Sequence, residues 1–331
     1  MEVQKLLVTP SPHILAKTNT RNIMVGVCIA LLPTLIASAV IFGWYVLLLC
    51  GVTVAACVGF EALYCLIMKK PIPVGDFSAV VTGIILAFNL PPAFPLWMAI
   101  IGAFISIVIV KQLFGGLGLN FANPALVGRM VLQLSFTGPM IAFTYPQSVA
   151  GVDALASATP LYVLQQGTVP LMDLLLGTHG GVLGETCAIT LIVGGLFMIF
   201  TKIISPTIPV VYIGGVFVLK FLLGIGGGTA AAVAGMDALG SILAGGLLLG
   251  AFFMATDYTT SPYTRRGKIV YGIVLAILTV AIREWATMLE GVSYSLLLAN
   301  LLVPYINGLT RQRPLGVKKG KKPAADGKGA K

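Results

Sequence analysis

Apolar runs of helix length recur along this chain, broken only by short polar or Gly/Pro-rich stretches. A helix needs about 20 predominantly apolar residues to cross the hydrocarbon layer of a bilayer. Ten runs meet or approach that length, at residues 22–42, 44–68, 77–90, 94–112, 124–137, 183–201, 207–223, 238–256, 268–284 and 291–306. They predict an all-α polytopic membrane protein with about ten transmembrane helices. Residues 1–21 form a polar N-terminal segment, 22–306 the helical domain, and 307–331 a Lys/Gly/Ala/Pro-rich tail too polar to order itself. The first apolar run is long enough to span, so it does not read as a cleavable signal.

Two runs are short. Residues 77–90 stop at Pro91-Pro92, and 124–137 opens with Pro124 at what reads as its first helical turn, where the missing N–H costs nothing. Short, proline-bounded segments read either as discontinuous helices lining a protein-buried cavity or as tilted, thin spans. Five runs in each half start the second half from the opposite face, so two inverted five-helix repeats with short discontinuous helices are one reading of the count.

Composition closes off the soluble classes. The 331 residues are 57% hydrophobic and only 10% charged, with a mean hydropathy of +0.98, more apolar surface than a soluble fold can hide. A net charge of +10 could suggest nucleic acid, but the cations sit at run ends and in the tail rather than across one face, so no nucleic-acid partner is expected. With the N-terminus in the cytoplasm and the spans alternating, 19 of the 21 Lys and Arg fall on the inner side. The positive-inside rule then places both termini in the cytoplasm of a multi-pass protein of the cell inner membrane. The tail lysines can also meet anionic membrane lipid. Five cysteines, none in a C-x-x-C pair, give no iron–sulfur, zinc or disulfide framework.

The candidate chemistry is sparse. Asp76 precedes the short third run and suits a helix cap or a cation site. Asn120 and Asn123, in the Gly-rich stretch Lys111–Pro124, offer amide donors and acceptors where glycines allow close backbone approach, although a tight turn explains the stretch equally well. Arg129 lies inside the fifth run and needs a partner, a ligand contact, or a route to the interface. Glu61 in the second run, Glu185 at the start of the sixth and Asp257 at the end of the eighth could, with Asp76, mark an ion path, and each could equally be a cap or half of an ion pair. The longest loop between runs, about 138–182, holds Asp153-Ala154-Leu155-Ala156-Ser157-Ala158-Thr159-Pro160-Leu161 and falls on the outer side. On physics alone this is a turn, because a Thr hydroxyl with no base beside it is a poor nucleophile.

Several motifs in order change that reading. Asp76-Phe77-Ser78-Ala79-Val80-Val81-Thr82-Gly83, Leu90-Pro91-Pro92, Lys111-Gln112-Leu113-Phe114-Gly115-Gly116-Leu117-Gly118, Asn123-Pro124-Ala125, Ala158-Thr159-Pro160-Leu161, Gly184-Glu185-Thr186 and Met254-Ala255-Thr256-Asp257 together resemble the D subunits of Rnf electron-transfer complexes. These are related to the B subunit of the sodium-pumping NADH:quinone reductase. The resemblance runs from Ser11-Pro12-His13 to the last apolar run. It implies a subunit of an ion-translocating (Na⁺ or H⁺) ferredoxin:NAD⁺ oxidoreductase, not catalytic alone, working beside the A, B, C, E and G subunits of the Rnf complex. It also implies FMN joined through its phosphate to Thr159 by a flavin transferase, with Asp153, Ser157 and Ala158 around the attachment point, and a second, non-covalent flavin (riboflavin) in the bundle. The family usually has Ser or Thr and then Gly before the Ala-Thr, where this chain has Ala156 and Ser157. A solute channel or transporter, or a scaffold without redox chemistry, are the rival readings of the same hydropathy pattern.

Overall fold

Hydropathy of this kind forces backbone polar groups to pair within the segment, so helices are the expected spanning elements. A computed structural model describes residues 19–71, 73–143, 171–177, 179–185, 187–286 and 291–312. All ten apolar runs hold a helix. In chain order the helices are α1 (Thr20–Phe42), α2 (Tyr45–Ile67), α3 (Ser78–Phe88), α4 (Leu96–Phe104, continued as a π-helix over Ile105–Gln112), α5 (Pro124–Ser135), α6 (Thr137–Ile141), α7 (Leu171–Leu176), α8 (Ala188–Phe200), α9 (Thr207–Gly226), α10 (Ala231–Leu243), α11 (Leu247–Leu249, continued as a π-helix over Gly250–Met254), α12 (Arg265–Trp285) and α13 (Val292–Leu309). No strand occurs among the described residues.

Length separates two kinds of span. Helices α1, α2, α9 and α13 are each long and apolar enough to cross a membrane unaided. Helices α10 and α11, bent by 63° at the break between them, are together long and apolar enough for one broken span or a re-entrant loop. Helix α3, with 11 residues, reaches only about 16 Å, half the hydrocarbon thickness. Discontinuous helices, rather than tilted ones, are therefore the form the short segments take.

The local causes are those the sequence offered. Asn123 caps α5 by accepting from the Ala125 N–H at 3.1 Å, and Pro124 occupies the first helical position. Asp76 closes a 3₁₀ turn and caps α3, its Oδ1 accepting from the Ser78 N–H at 2.8 Å. Helix α3 ends ahead of Pro91-Pro92, and its freed carbonyls are met from across the molecule. The Gly184 N–H donates to Phe88 O at 2.7 Å and the Leu183 N–H to Leu90 O at 3.1 Å. This corrects the expected sixth span: residues 183–185 are not helical but dip against the end of α3, and the helix begins at Ala188. The expected eighth span, 238–256, is corrected too. It starts at Ala231 and breaks at Ala244–Gly246, with Gly246 at φ 61° in the left-handed region that favours glycine.

The two halves share one packing order. Helix α2 packs on α3 and α4, and α4 leads into α5; α9 packs on α10 and α12, and α12 leads onto α13. Contacts of α1 with α8 and of α5 with α13 join the halves. A tight joint lies between α2 and α3, where a Cβ on Gly83 would come within 2.8 Å of Val54 Cα. Gly83→Val should therefore force α3 off α2, at a cost of about 1–3 kcal/mol, seen as a lower melting temperature of the detergent-solubilised protein. Unchanged melting would mean that the joint gives more readily than its spacing implies.

Candidate functional site

Two polar centres lie within the apolar bundle. The first is built on the two π-helical segments, a local widening that often marks functional positions. The π turn at the end of α4 brings Lys111 inward until it is only 2% exposed. It thus belongs to the helix rather than to the Gly-rich stretch that follows. Its Nζ donates to Glu61 Oε1 of α2 at 2.6 Å and to Ser78 Oγ at the start of α3 at 2.6 Å. Gln112 Nε2 also donates to Glu61 Oε1, at 2.8 Å, and Ser78 Oγ donates to Asp76 Oδ1 at 2.6 Å. Glu61, wholly buried, is therefore half of an ion pair, and Asp76, Ser78, Lys111 and Glu61 form one hydrogen-bonded chain across three helices.

Lys111 and Ser78 also line a cavity of about 80 Å³ whose polar wall includes Asn120, Asn123, Thr82 and Asp257. Phe252 and Phe253, from the second π segment, supply apolar wall. Buried Asn120 Oδ1 has no hydrogen-bond partner among the described residues. A buried amide oxygen left unmet costs about 1–3 kcal/mol, so its presence beside a cavity favours a ligand or water that donates to it. Asp257 is held by the hydroxyls of Thr259 at 3.0 Å and Thr260 at 3.3 Å. Burial raises its pKa above the usual carboxylate value, and these hydrogen bonds partly offset the shift. The structure thus brings together five of the residues singled out from sequence: Asn120, Asn123 and Asp257 on the wall, with Asp76 and Glu61 one hydrogen bond behind it.

The second centre lies at the two helix breaks. Arg129 of α5 donates to Asn89 Oδ1 at 2.7 Å and to Ser293 Oγ of α13 at 2.7 Å. It is buried rather than reaching for the interface, and it is not among the residues lining the cavity. Arg283 of α12 donates to Ser241 O at 2.6 Å, Gly245 O at 2.8 Å and Ala244 O at 3.3 Å, closing the carbonyls that the break after α10 leaves without amides. Buried Glu185 interacts electrostatically with both guanidiniums. A Cβ on Gly246 would lie 2.6 Å from its Oε1, which sets the carboxylate against the break itself. Arg283→Met would strip several buried carbonyls of their donor at about 1–3 kcal/mol each. The folded chain should then disappear from detergent extracts on size-exclusion chromatography, with Arg283→Lys intermediate. A normal Met-variant profile would show that other donors can reach those carbonyls.

Thr159, with Asp153, Ser157 and Ala158, lies outside the described residues.

Comparison with known proteins places these features. A sequence model described as the NQR2, RnfD, RnfE family matches residues 7–316. The D subunit of the Na⁺-translocating ferredoxin:NAD⁺ oxidoreductase complex of Acetobacterium woodii is 42% identical over 330 residues, covering 98% of this chain and 99% of that one. The D subunit of the proton-translocating ferredoxin:NAD⁺ oxidoreductase complex of Clostridium ljungdahlii is 38% identical over 94% of this chain and 96% of its own. The D subunit of the ion-translocating oxidoreductase complex of Vibrio atlanticus is 33% identical over 93% of this chain and 99% of its own. With a match over nearly the whole helical domain and relatives aligned almost end to end, the chain belongs to the NQR2, RnfD, RnfE family.

Proposed function

We propose that this chain is the membrane electron-carrying D subunit of an ion-translocating ferredoxin:NAD⁺ oxidoreductase, with FMN attached through its phosphate to Thr159 and a second, non-covalent flavin whose dione edge enters the cavity that Lys111 lines. The assignment to such a complex rests on the near full-length similarity to subunits bearing that name, which also weighs against the channel and scaffold readings. The A, B, C, E and G subunits supply the ferredoxin and NAD⁺ chemistry, and a flavin transferase loads Thr159.

The observation that carries the second flavin is the unmet Oδ1 of Asn120 beside the Lys111 ammonium. A flavin's dione edge alternates acceptor, donor and acceptor. Asn120 Oδ1 can take the ring N–H, and Lys111 and the Asn123 amide can donate to the carbonyls on either side. Phe252 and Phe253 keep water from the remaining wall. When bound, the flavin supplies the redox chemistry, while the chain supplies position and local field.

Charge placement sets the cavity on the cytoplasmic side and Thr159 on the outer side, so electrons cross the membrane through the complex. Asp76, Glu61 and Asp257 then mark an inner ion entry, whereas Glu185 serves the Arg129 and Arg283 guanidiniums as a counter-charge. The deciding experiment is a denaturing gel of the complex from its native host viewed under ultraviolet light, with acid extraction of the same sample. A fluorescent band at this chain's mass and riboflavin in the extract are expected. A dark band would remove the covalent carrier, and an extract without flavin would remove the second.

A further inference from the structure

The Glu61–Lys111 pair has a chemical asymmetry that a mere staple between α2 and α4 does not need. Lys111 lines the cavity, whereas Glu61 lies behind it. Two of the three ammonium N–H groups are engaged, by Glu61 and Ser78, and the third has no partner among the described residues. The cavity therefore meets the positive end of a buried dipole, in a low-dielectric setting where such a field is strong. Glu61 Oε2 is likewise buried without a hydrogen bond, so this carboxylate offsets the lysine without the full set of donors that would fix it as a purely structural group.

We propose that Lys111 is a redox-tuning residue. It holds a positive charge against the ring in the cavity, stabilising the negative charge that the ring gains as it accepts electrons, and Glu61 sets how much of that charge is felt. The inference rests on the reading of the cavity as the site of a non-covalent flavin. The other ionisable groups around the lysine are Asp76, reached through Ser78, Asp257 and Tyr258 on the cavity wall, and Cys57 and Cys65 of α2; all are present in every variant below, so they do not confuse the comparison.

The two members of the pair should move the midpoint potential of the acid-extractable flavin in opposite directions. Glu61→Gln removes the offsetting charge and keeps an oxygen to accept from Lys111, so the potential should rise above that of the unaltered complex. Lys111→Met leaves the carboxylate facing the ring alone, so the potential should fall below it. The measurement is a reductive titration of the purified complex with dithionite, followed by flavin absorbance. Lys111→Met also removes a donor to the ring, so the potential is read on the flavin that each variant retains, with content per complex measured by acid extraction. Should Lys111→Met not accumulate because it leaves Glu61 buried alone, the double variant Glu61→Gln/Lys111→Met takes its place and should titrate below Glu61→Gln. Shifts of the same sign in both single variants, or no shift with flavin retained, would overturn the role of Lys111 and reduce the pair to a helix staple. An unaltered complex whose extract holds no flavin would instead overturn the cavity reading first, and this role with it.

Discussion

Thr159→Ala is expected to give a chain that inserts and assembles but carries no covalent flavin, with ferredoxin-driven NAD⁺ reduction by the complex falling to the level of a complex without this chain. The substitution removes one hydroxyl from a stretch whose sequence reads as a loop between apolar runs, and surface changes of that size usually alter stability by less than about 0.5 kcal/mol. That hydroxyl oxygen is nonetheless the only atom through which the phosphoester can form at this position. Loss of function with intact assembly is therefore the signature of a missing carrier, whereas a structural threonine would lose both or neither. Thr159→Ser keeps a hydroxyl on a side chain with more rotamer freedom, and should retain part of the fluorescence. The readouts are fluorescence on a denaturing gel, the mass of the peptide containing residue 159, and Na⁺ or proton uptake by vesicles. Undiminished fluorescence or uptake in the alanine variant would put the carrier on another residue.

That prediction draws on sequence motifs alone, and the same is true of much of the fold. Span positions were legible because each run must satisfy its own backbone in a solvent without water, which ties apolar length to helix. The stop of α3 was legible in Pro91-Pro92, and the start of α5 in Asn123-Pro124, because caps and prolines act within one turn. The break at Ala244–Gly246 was not. Two glycines in an apolar run weaken a helix without ending it, and what ends it here is tertiary: Arg283, about forty residues away, closes the freed carbonyls. The non-helical Leu183–Glu185 hides for the same reason, since the amides of Leu183 and Gly184 are met by carbonyls at the end of α3 and just after it.

The candidate site was half legible. Asn120, Asn123, Asp76, Glu61 and Asp257 could be singled out by type, because amides and carboxylates in an oily chain are costly and few. Their assembly around one cavity could not, because Glu61 and Lys111 stand 50 residues apart on different helices. Lys111 was missed outright. It borders a glycine-rich stretch and reads as the last residue at an interface, and only the π turn of α4 carries it inward. The signal available was the pairing requirement itself: one buried acid on α2 implies a base near the same depth on a neighbouring helix.

Glu185→Gln should destabilise the bundle by more than the ~0.5 kcal/mol of an ordinary surface change, because it removes a buried carboxylate whose field reaches two buried guanidiniums. Arg129 belongs to the first half of the chain and Arg283 to the second, and the Glu185 carboxylate interacts with both. It also rests against Gly246, at the bend between α10 and α11, while the adjacent amides hold the end of α3. One carboxylate therefore ties together both helix breaks and both halves, and it does so only a few residues after the loop that carries Thr159. A neutral amide of the same shape keeps the packing but leaves two buried cations facing no charge from this position. The expected result is loss of the chain from the assembled complex and a lower melting temperature of what remains, with Thr159 still carrying its flavin in the fraction that folds. Vesicle uptake per assembled complex should be near normal. If assembly is intact and uptake is slowed instead, Glu185 belongs to the ion route, and the two arginines take on the task of setting its charge rather than sharing it as a fixed counter-ion.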